Sequence, residues 1–240
     1  MVHHTKGVVL KTTNYSDSSL IAHIFTERFG MQSYLVPGAK RPKSKLGVQL
    51  FQPLHLLDMQ VYHKESNQLQ RIKEARLDSP FQNIPFDIVK SCLCMFIAEI
   101  LNKSLRHQAT DPPLFHFVYD QIILLDKWEG PLANFHLMFL TKLLPYLGFA
   151  PEAVNTRANF FDMMEGLFVS HQPFHVHFIA ASEATSFYQL LQLNVEDGLN
   201  LDIHKTNRKN LIRKVIEYYK IHIDGFGELR SLEILEEVFS

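Results

Sequence analysis

Polar and apolar positions alternate with a period of two through the first third of the chain and recur at helical spacing afterwards. Residues 7–13, 19–26 and 32–36 are short runs rich in β-branched and aromatic side chains, separated by turn-like segments at 14–17 and 28–31. Residues 52–62 alternate and then run apolar. Residues 69–77 set Leu69, Arg71 and Lys73 against Gln70, Ile72 and Glu74, after a polar link at 63–67. Five short strands in about eighty residues predict a small closed or nearly closed barrel, because closure is how so short a sheet removes its unpaired edges.

Beyond Asp78 the period changes. Ile84, Ile88, Cys92, Met95 and Phe96 recur at helical spacing, with Pro85 suited to a first turn. Residues 114–128 read as a second helix and 132–147 as a third, with Gly148 as its cap and Pro145 ending or kinking it early. Helices are also predicted at 182–193, 207–222 and 228–238. Between them, residues 150–181 place Phe160, Phe161, Phe168, Phe174 and Phe178 irregularly around Gly166 and Pro173, the pattern of a short hairpin or structured insertion. The fold class is thus α+β: a five-stranded barrel in residues 1–80, then an all-helical domain in 81–240 with a short irregular or β insertion.

Composition narrows the class. The chain is 46% hydrophobic and 20% charged with a net charge of -1, which excludes a disordered polymer, a collagen-like repeat or a coiled-coil rod. The most apolar stretch, residues 84–101, carries Asp87, Lys90 and Glu99 and reads as a buried helix rather than a membrane span. Cys92 and Cys94 stand one residue apart, too close to bridge without strain, so the expected compartment is the reducing cytoplasm. The amino-terminal residues lack the order of a signal peptide, and no membrane role is expected. The net charge conceals an asymmetry: residues 1–80 hold eleven bases and six acids, the remainder thirteen and nineteen. That split suits one part meeting a polyanion.

Several segments together resemble the RecO family of bacterial DNA repair proteins. They are Lys6-Gly-Val-Val-Leu-Lys, Tyr15-Ser-Asp-Ser-Ser-Leu-Ile, Phe25-Thr-Glu-Arg-Phe-Gly, Val36-Pro-Gly-Ala-Lys-Arg-Pro-Lys-Ser-Lys and Leu50-Phe-Gln-Pro-Leu, followed later by Leu144-Pro-Tyr-Leu-Gly-Phe-Ala-Pro and Glu228-Leu-Arg-Ser-Leu-Glu-Ile-Leu. The resemblance implies an OB-fold amino-terminal domain, a helical carboxy-terminal domain and a non-enzymatic role as a recombination mediator. In that role the protein binds single- and double-stranded DNA, promotes strand annealing and helps load recombinase with RecR and the single-stranded-DNA-binding protein. It also implies a cytoplasmic, nucleoid-associated location. Many members carry four zinc-binding cysteines in the insertion, whereas residues 150–181 here contain none. His171, His175 and His177, with Asp162 and Glu165, are of ligating type, but His171 lies beyond Pro173, so no metal and no cofactor are expected and the phenylalanines are read as replacing the cluster by burial.

The candidate chemistry follows from charge and aromatics. Lys40, Arg41, Lys43 and Lys45 place four bases in six residues beside Gly38 and around Pro42, a mobile loop suited to phosphates, with Lys6, Lys11 and Arg28 as further DNA contacts. An OB-fold adds base stacking on aromatics. Of Tyr15, Phe25, Phe29, Tyr34 and Phe51, Tyr34 is the one expected to be exposed, with Phe25 and Phe51 in the core. In the helical domain, Arg208, Lys209, Arg213 and Lys214 form a candidate cationic stripe for the acidic, apolar carboxy-terminal tail of the single-stranded-DNA-binding protein. No P-loop, His-Glu-x-x-His helix or nucleophile elbow is present to support an enzyme. The competing class is an OB-fold adaptor that binds proteins without touching DNA.

Overall fold

The structure, a computed structural model, describes residues 1–106, 108–152 and 159–239. The chain divides into two compact units, Met1–Trp128 and Glu129–Ser240. The change from strand to helix falls near residue 80 as the pattern predicts, but the first two helices belong to the barrel's unit.

In the first unit β1 (Val2–Asn14), β2 (Leu20–Thr26), β3 (Gly30–Val36), β4 (Leu56–Tyr62) and β5 (Gln70–Leu77) close into a barrel in the order β1-β2-β3-β5-β4. Strand β1 is long enough to serve two neighbours, pairing with β4 from Val2 to Val8 and with β2 from Gly7 to Asn14, with a bulge between Val9 and Lys11. Such bulges bend a strand and raise its twist, which a five-stranded closure requires. The closing seam is the short parallel pairing of Tyr34 with Gln70 and Leu35 with Arg71. Inside lie Val9, Ile24, Tyr34, Val36, Leu57, Met59 and Val61, and a single 3-10 turn at Val48–Phe51 inserts Phe51 among them. At Gly30 the backbone is left-handed (φ +63°), and a β-carbon there would stand 2.4 Å from the carbonyl oxygen of Gln108, so glycine alone fits the turn.

Helix α1 (Ile88–Ser104) starts where Asp87 accepts hydrogen bonds from the amides of Val89 and Lys90; α2 (Pro112–Lys127) starts at Asp111 with proline in its first turn. Buried Asp126, near the end of α2, binds the segment that links barrel to helices. Its carboxylate accepts from the amides of Gln82, Asn83 and Ile84, each at 2.9 Å, while its carbonyl accepts from the Lys90 ammonium at 2.8 Å.

The second unit is helical with a small sheet. Helix α3 (Phe135–Leu147) ends at Gly148 in the left-handed conformation (φ +84°). It does not stop early at Pro145: that residue sits exposed in the last turn, where its missing N–H forfeits a single ladder bond. Strands β6 (Phe160–Asp162), β7 (Leu167–Val169) and β8 (Phe178–Ala180) form an antiparallel sheet in the order β7-β6-β8. Phe161, Phe168, Phe187 and Tyr218 pack ring against ring beneath it, with centroids 4.8–5.2 Å apart for the three pairs that involve Phe161. Helices α4 (Ala181–Gln192), α5 (Val195–Leu199), α6 (Lys205–His222) and α7 (Ser231–Val238) complete the unit; α5, capped by Asn194, is an element the pattern does not predict.

Candidate nucleic-acid interface

The outer face of β2 and β3, with the loop between β4 and β5, forms an open polar groove. Its floor is His23, Gln32 and Ser33, one wall is His63, Asn67 and Gln68, and Lys11 and Arg106 stand at its sides as cations. The loop wall is pre-shaped: the buried Gln70 side chain donates to the carbonyls of Lys64 (2.8 Å) and Asn67 (2.6 Å) and accepts from the Lys64 amide. His63 stacks on Phe29 (centroids 4.0 Å apart, planes 15° from parallel), His3 meets Phe29 edge-on, and the Arg28 guanidinium lies 5.5 Å from the same ring. Burial, then the neighbouring His3, lowers the pKa of His63; burial and then Lys11 lower that of His23, which also shares a 3.0 Å hydrogen bond with Ser33. Both imidazoles are therefore neutral at pH 7, and they offer ring faces and hydrogen bonds rather than charge.

Lys40, Arg41, Lys43 and Lys45 are all exposed on the segment between β3 and β4, and none pairs with a carboxylate among the described residues. The segment is not an open flap. Val48 donates to the carbonyl of Ala39, Arg41 to that of Gly38, and the Lys40 side chain reaches the carbonyl of Ser16 in the β1–β2 loop. Lys45 lines a second groove with Lys73 and Arg76, where Asp58 already takes Arg76 through two hydrogen bonds. Lys11 is exposed. Lys6 stands apart from the others: its ammonium is bound to Asp78 at 2.9 Å and lies over the Tyr119 ring, so its charge is spent inside the unit.

The expectation for Tyr34 is corrected. Its side chain is fully buried among the barrel residues, and its hydroxyl has no hydrogen-bond partner. Strand alternation places Tyr34 with Val36, and that shared face is the interior. The exposed aromatic of the set is Tyr15, 60% accessible on the β1–β2 loop, while Phe25 and Phe51 are core residues as expected. Replacing Tyr34 by Phe removes an unsatisfied buried hydroxyl, so stability in urea is expected to hold or rise by up to about 1 kcal/mol, with DNA affinity unchanged.

In the second unit an apolar groove lies between α6 and α7, formed by Ile212, Leu232, Leu235 and Phe239 and rimmed by Lys205, Arg208 and Lys209. Buried His136 closes its floor, stacked on Phe239, and burial followed by the nearby Arg208 pushes its pKa down to about 3. The four cations expected to act together divide here. Arg208 and Lys209 face this groove, whereas Arg213 and Lys214 line a different one beside β8. Arg213 is bound to Glu236 and Lys214 to Glu217.

Models of the Recombination protein O N-terminal and C-terminal domains match residues 1–81 and 85–233. Proteins named DNA repair protein RecO are similar along the whole chain. That of Azobacteroides pseudotrichonymphae is 36% identical over 240 residues, covering all of both chains, and that of Flavobacterium psychrophilum is 37% identical over 238 residues, covering 98% of each. One from Bacteroides fragilis is 36% identical over 241 residues and again covers both chains entirely. The chain belongs to the RecO family of DNA repair proteins.

The histidines of the insertion have partners of their own. His175 is bound to Asp162 (3.1 Å), His177 to Glu217 (2.8 Å), and exposed His171 to the neighbouring Ser170. Asp162 also accepts from the amides of Met164 and Glu165, holding the β6–β7 turn. Among the described residues no three histidine, cysteine or acidic side chains converge to hold a metal. Residues 153–158 of the insertion lie outside the described residues. Among the described residues, no helix is long and apolar enough to cross a membrane.

Reading the sequence missed the column of His3, Phe29 and His63 and the cation Arg106. The signal for the column was faint, because its members are 26 and 34 residues apart along the chain and only the closed barrel stacks them.

Proposed function

We propose that this chain is a non-enzymatic recombination mediator in DNA repair, working in the cytoplasm at the nucleoid. It binds single- and double-stranded DNA, anneals strands and, with RecR and the single-stranded-DNA-binding protein, helps load recombinase. The observation that carries the DNA reading is the open groove on the β2–β3 face of a closed five-stranded barrel, the surface by which OB-folds bind oligonucleotides. Phosphates meet Lys11, Arg28 and the exposed Lys40, Arg41, Lys43 and Lys45, while bases stack on His63 over Phe29. The apolar groove rimmed by Lys205, Arg208 and Lys209 supports binding of the acidic, apolar tail of the single-stranded-DNA-binding protein.

Fluorescence anisotropy with labelled DNA across a salt series tests the first part. A protein-only adaptor gives no salt-dependent binding. For a binder, His63→Ala is expected to weaken single-stranded DNA by about tenfold, the loss of one stacked base, with the salt slope kept and duplex binding little changed. Equal loss for both DNA forms would remove the stacking role.

A further inference from the structure

Helix α7 has the chemistry of the peptide that the groove beside it is read to receive. Leu232, Ile234, Leu235 and Val238 alternate with Glu233, Glu236 and Glu237, making an acidic, apolar segment. It lies on the cations of α6. Glu236 accepts from Arg213 Nε at 2.6 Å and Nη2 at 2.7 Å, and the Lys209 ammonium stands 3.4 Å from the same carboxylate.

The apolar hold is partial. Ser231 and Leu235 are buried, Leu232, Val238 and Phe239 are half-buried, and Phe239 stacks on His136, but Ile234 is 45% exposed. A helix of eight residues has little stability of its own, so its place depends on tertiary contacts, those of Glu236 among them. Lys209 thus belongs both to the rim of the open groove and to the ion pair that fastens α7.

We propose that α7 is a latch on this site: an acidic, apolar peptide takes the place of α7 against Ile212 and His136, and its carboxylates replace Glu236 on Lys209 and Arg213, so the latch sets the affinity. The proposal rests on the reading that the tail is received on this face of α6. When only a fraction of molecules has the latch open, apparent affinity falls by that fraction, and freeing the latch restores it. The exchange conserves chemistry, since one carboxylate and its apolar neighbours replace another set on the same cations.

The test uses the full chain and a fluorescent peptide carrying the tail of a single-stranded-DNA-binding protein. Glu236→Gln is expected to bind the peptide about three- to tenfold more tightly than the unaltered protein. Hydrogen exchange of amides 231–239 should quicken by a similar factor while amides of α3 stay protected. Glu233→Gln removes a carboxylate of α7 that takes part in none of these pairs, and should leave affinity as it was. Saturating the unaltered protein with peptide should also quicken exchange in α7, a measurement that needs no variant to fold.

Finite affinity that is the same in Glu236→Gln and the unaltered protein overturns the latch and leaves the tail reading standing, as does peptide binding that leaves α7 exchange unchanged. An equal gain from Glu233→Gln also overturns it, because overall charge would then be the cause. No binding to either protein, with α7 exchange nevertheless faster in Glu236→Gln, overturns the tail reading itself.

Discussion

Replacing Lys40, Arg41, Lys43 and Lys45 together by alanine is expected to weaken DNA binding by about tenfold to a hundredfold at moderate salt. The same change should flatten the dependence of log affinity on log salt by roughly 2 to 3 for single strands. The physical source is counterion release: each base that neutralises a phosphate frees condensed cation, contributing about 0.7 to the slope on single-stranded DNA. All four side chains are exposed and unpaired with carboxylates, so their full charge is available. The loop's shape depends on them only through the bond of Lys40 to the Ser16 carbonyl, since its turns are closed by backbone bonds such as Val48 to Ala39. Stability should therefore move by no more than about 0.5 kcal/mol. Sequence preference should not change, because phosphate contacts carry none. An unchanged slope would shift the phosphate contacts to Lys11 and Arg106 in the β2–β3 groove.

The largest effect on stability is expected at Asp126, where alanine should cost the first unit about 3 kcal/mol. The loss combines three hydrogen bonds to a buried carboxylate with three amides, those of Gln82, Asn83 and Ile84, left seeking partners. Urea unfolding of the full chain, with hydrogen exchange of residues 82–84 as a local readout, measures it. The same geometry sets a pH dependence. Burial raises the Asp126 pKa, but the three amides, and then Lys90, outweigh it and hold the carboxyl below the usual range. A group whose folded pKa is depressed stabilises the fold fully above its unfolded value near 4. That contribution is lost as pH falls through the lower folded value, and the alanine variant should show a shallower acid limb. A variant with the acid limb of the unaltered protein would mean the carboxylate is not ionised in the fold.

The sequence by itself determined the parts whose cause is local. Period-two alternation gives the five strands, because a barrel has one inside and every second side chain must enter it. The helix end at Gly148 is equally local, since only glycine takes the left-handed cap without cost. So is the exposure of Lys40, Arg41, Lys43 and Lys45, set by a run of charge that no core can bury.

What the tertiary structure decided are the relations between distant segments. Alternation says that Tyr34 and Val36 share a face but not which face is the interior. Closure of β3 against β5 decides that, and it puts Tyr34 inside. Helical spacing brings Arg208, Lys209, Arg213 and Lys214 near one another along α6, and pairs Lys214 with Glu217 on the same helix, yet the charge of Lys209 and Arg213 is allotted by an element elsewhere in the chain. Glu236 on α7 takes Arg213 across 23 residues of sequence, and Asp78, just past β5, takes Lys6 of β1. The assignment of α1 and α2 to the barrel's unit has the same origin, in a buried carboxylate at Asp126 that bonds amides more than forty positions earlier. Ion pairs and buried hydrogen bonds are chosen by packing, which a local pattern does not contain.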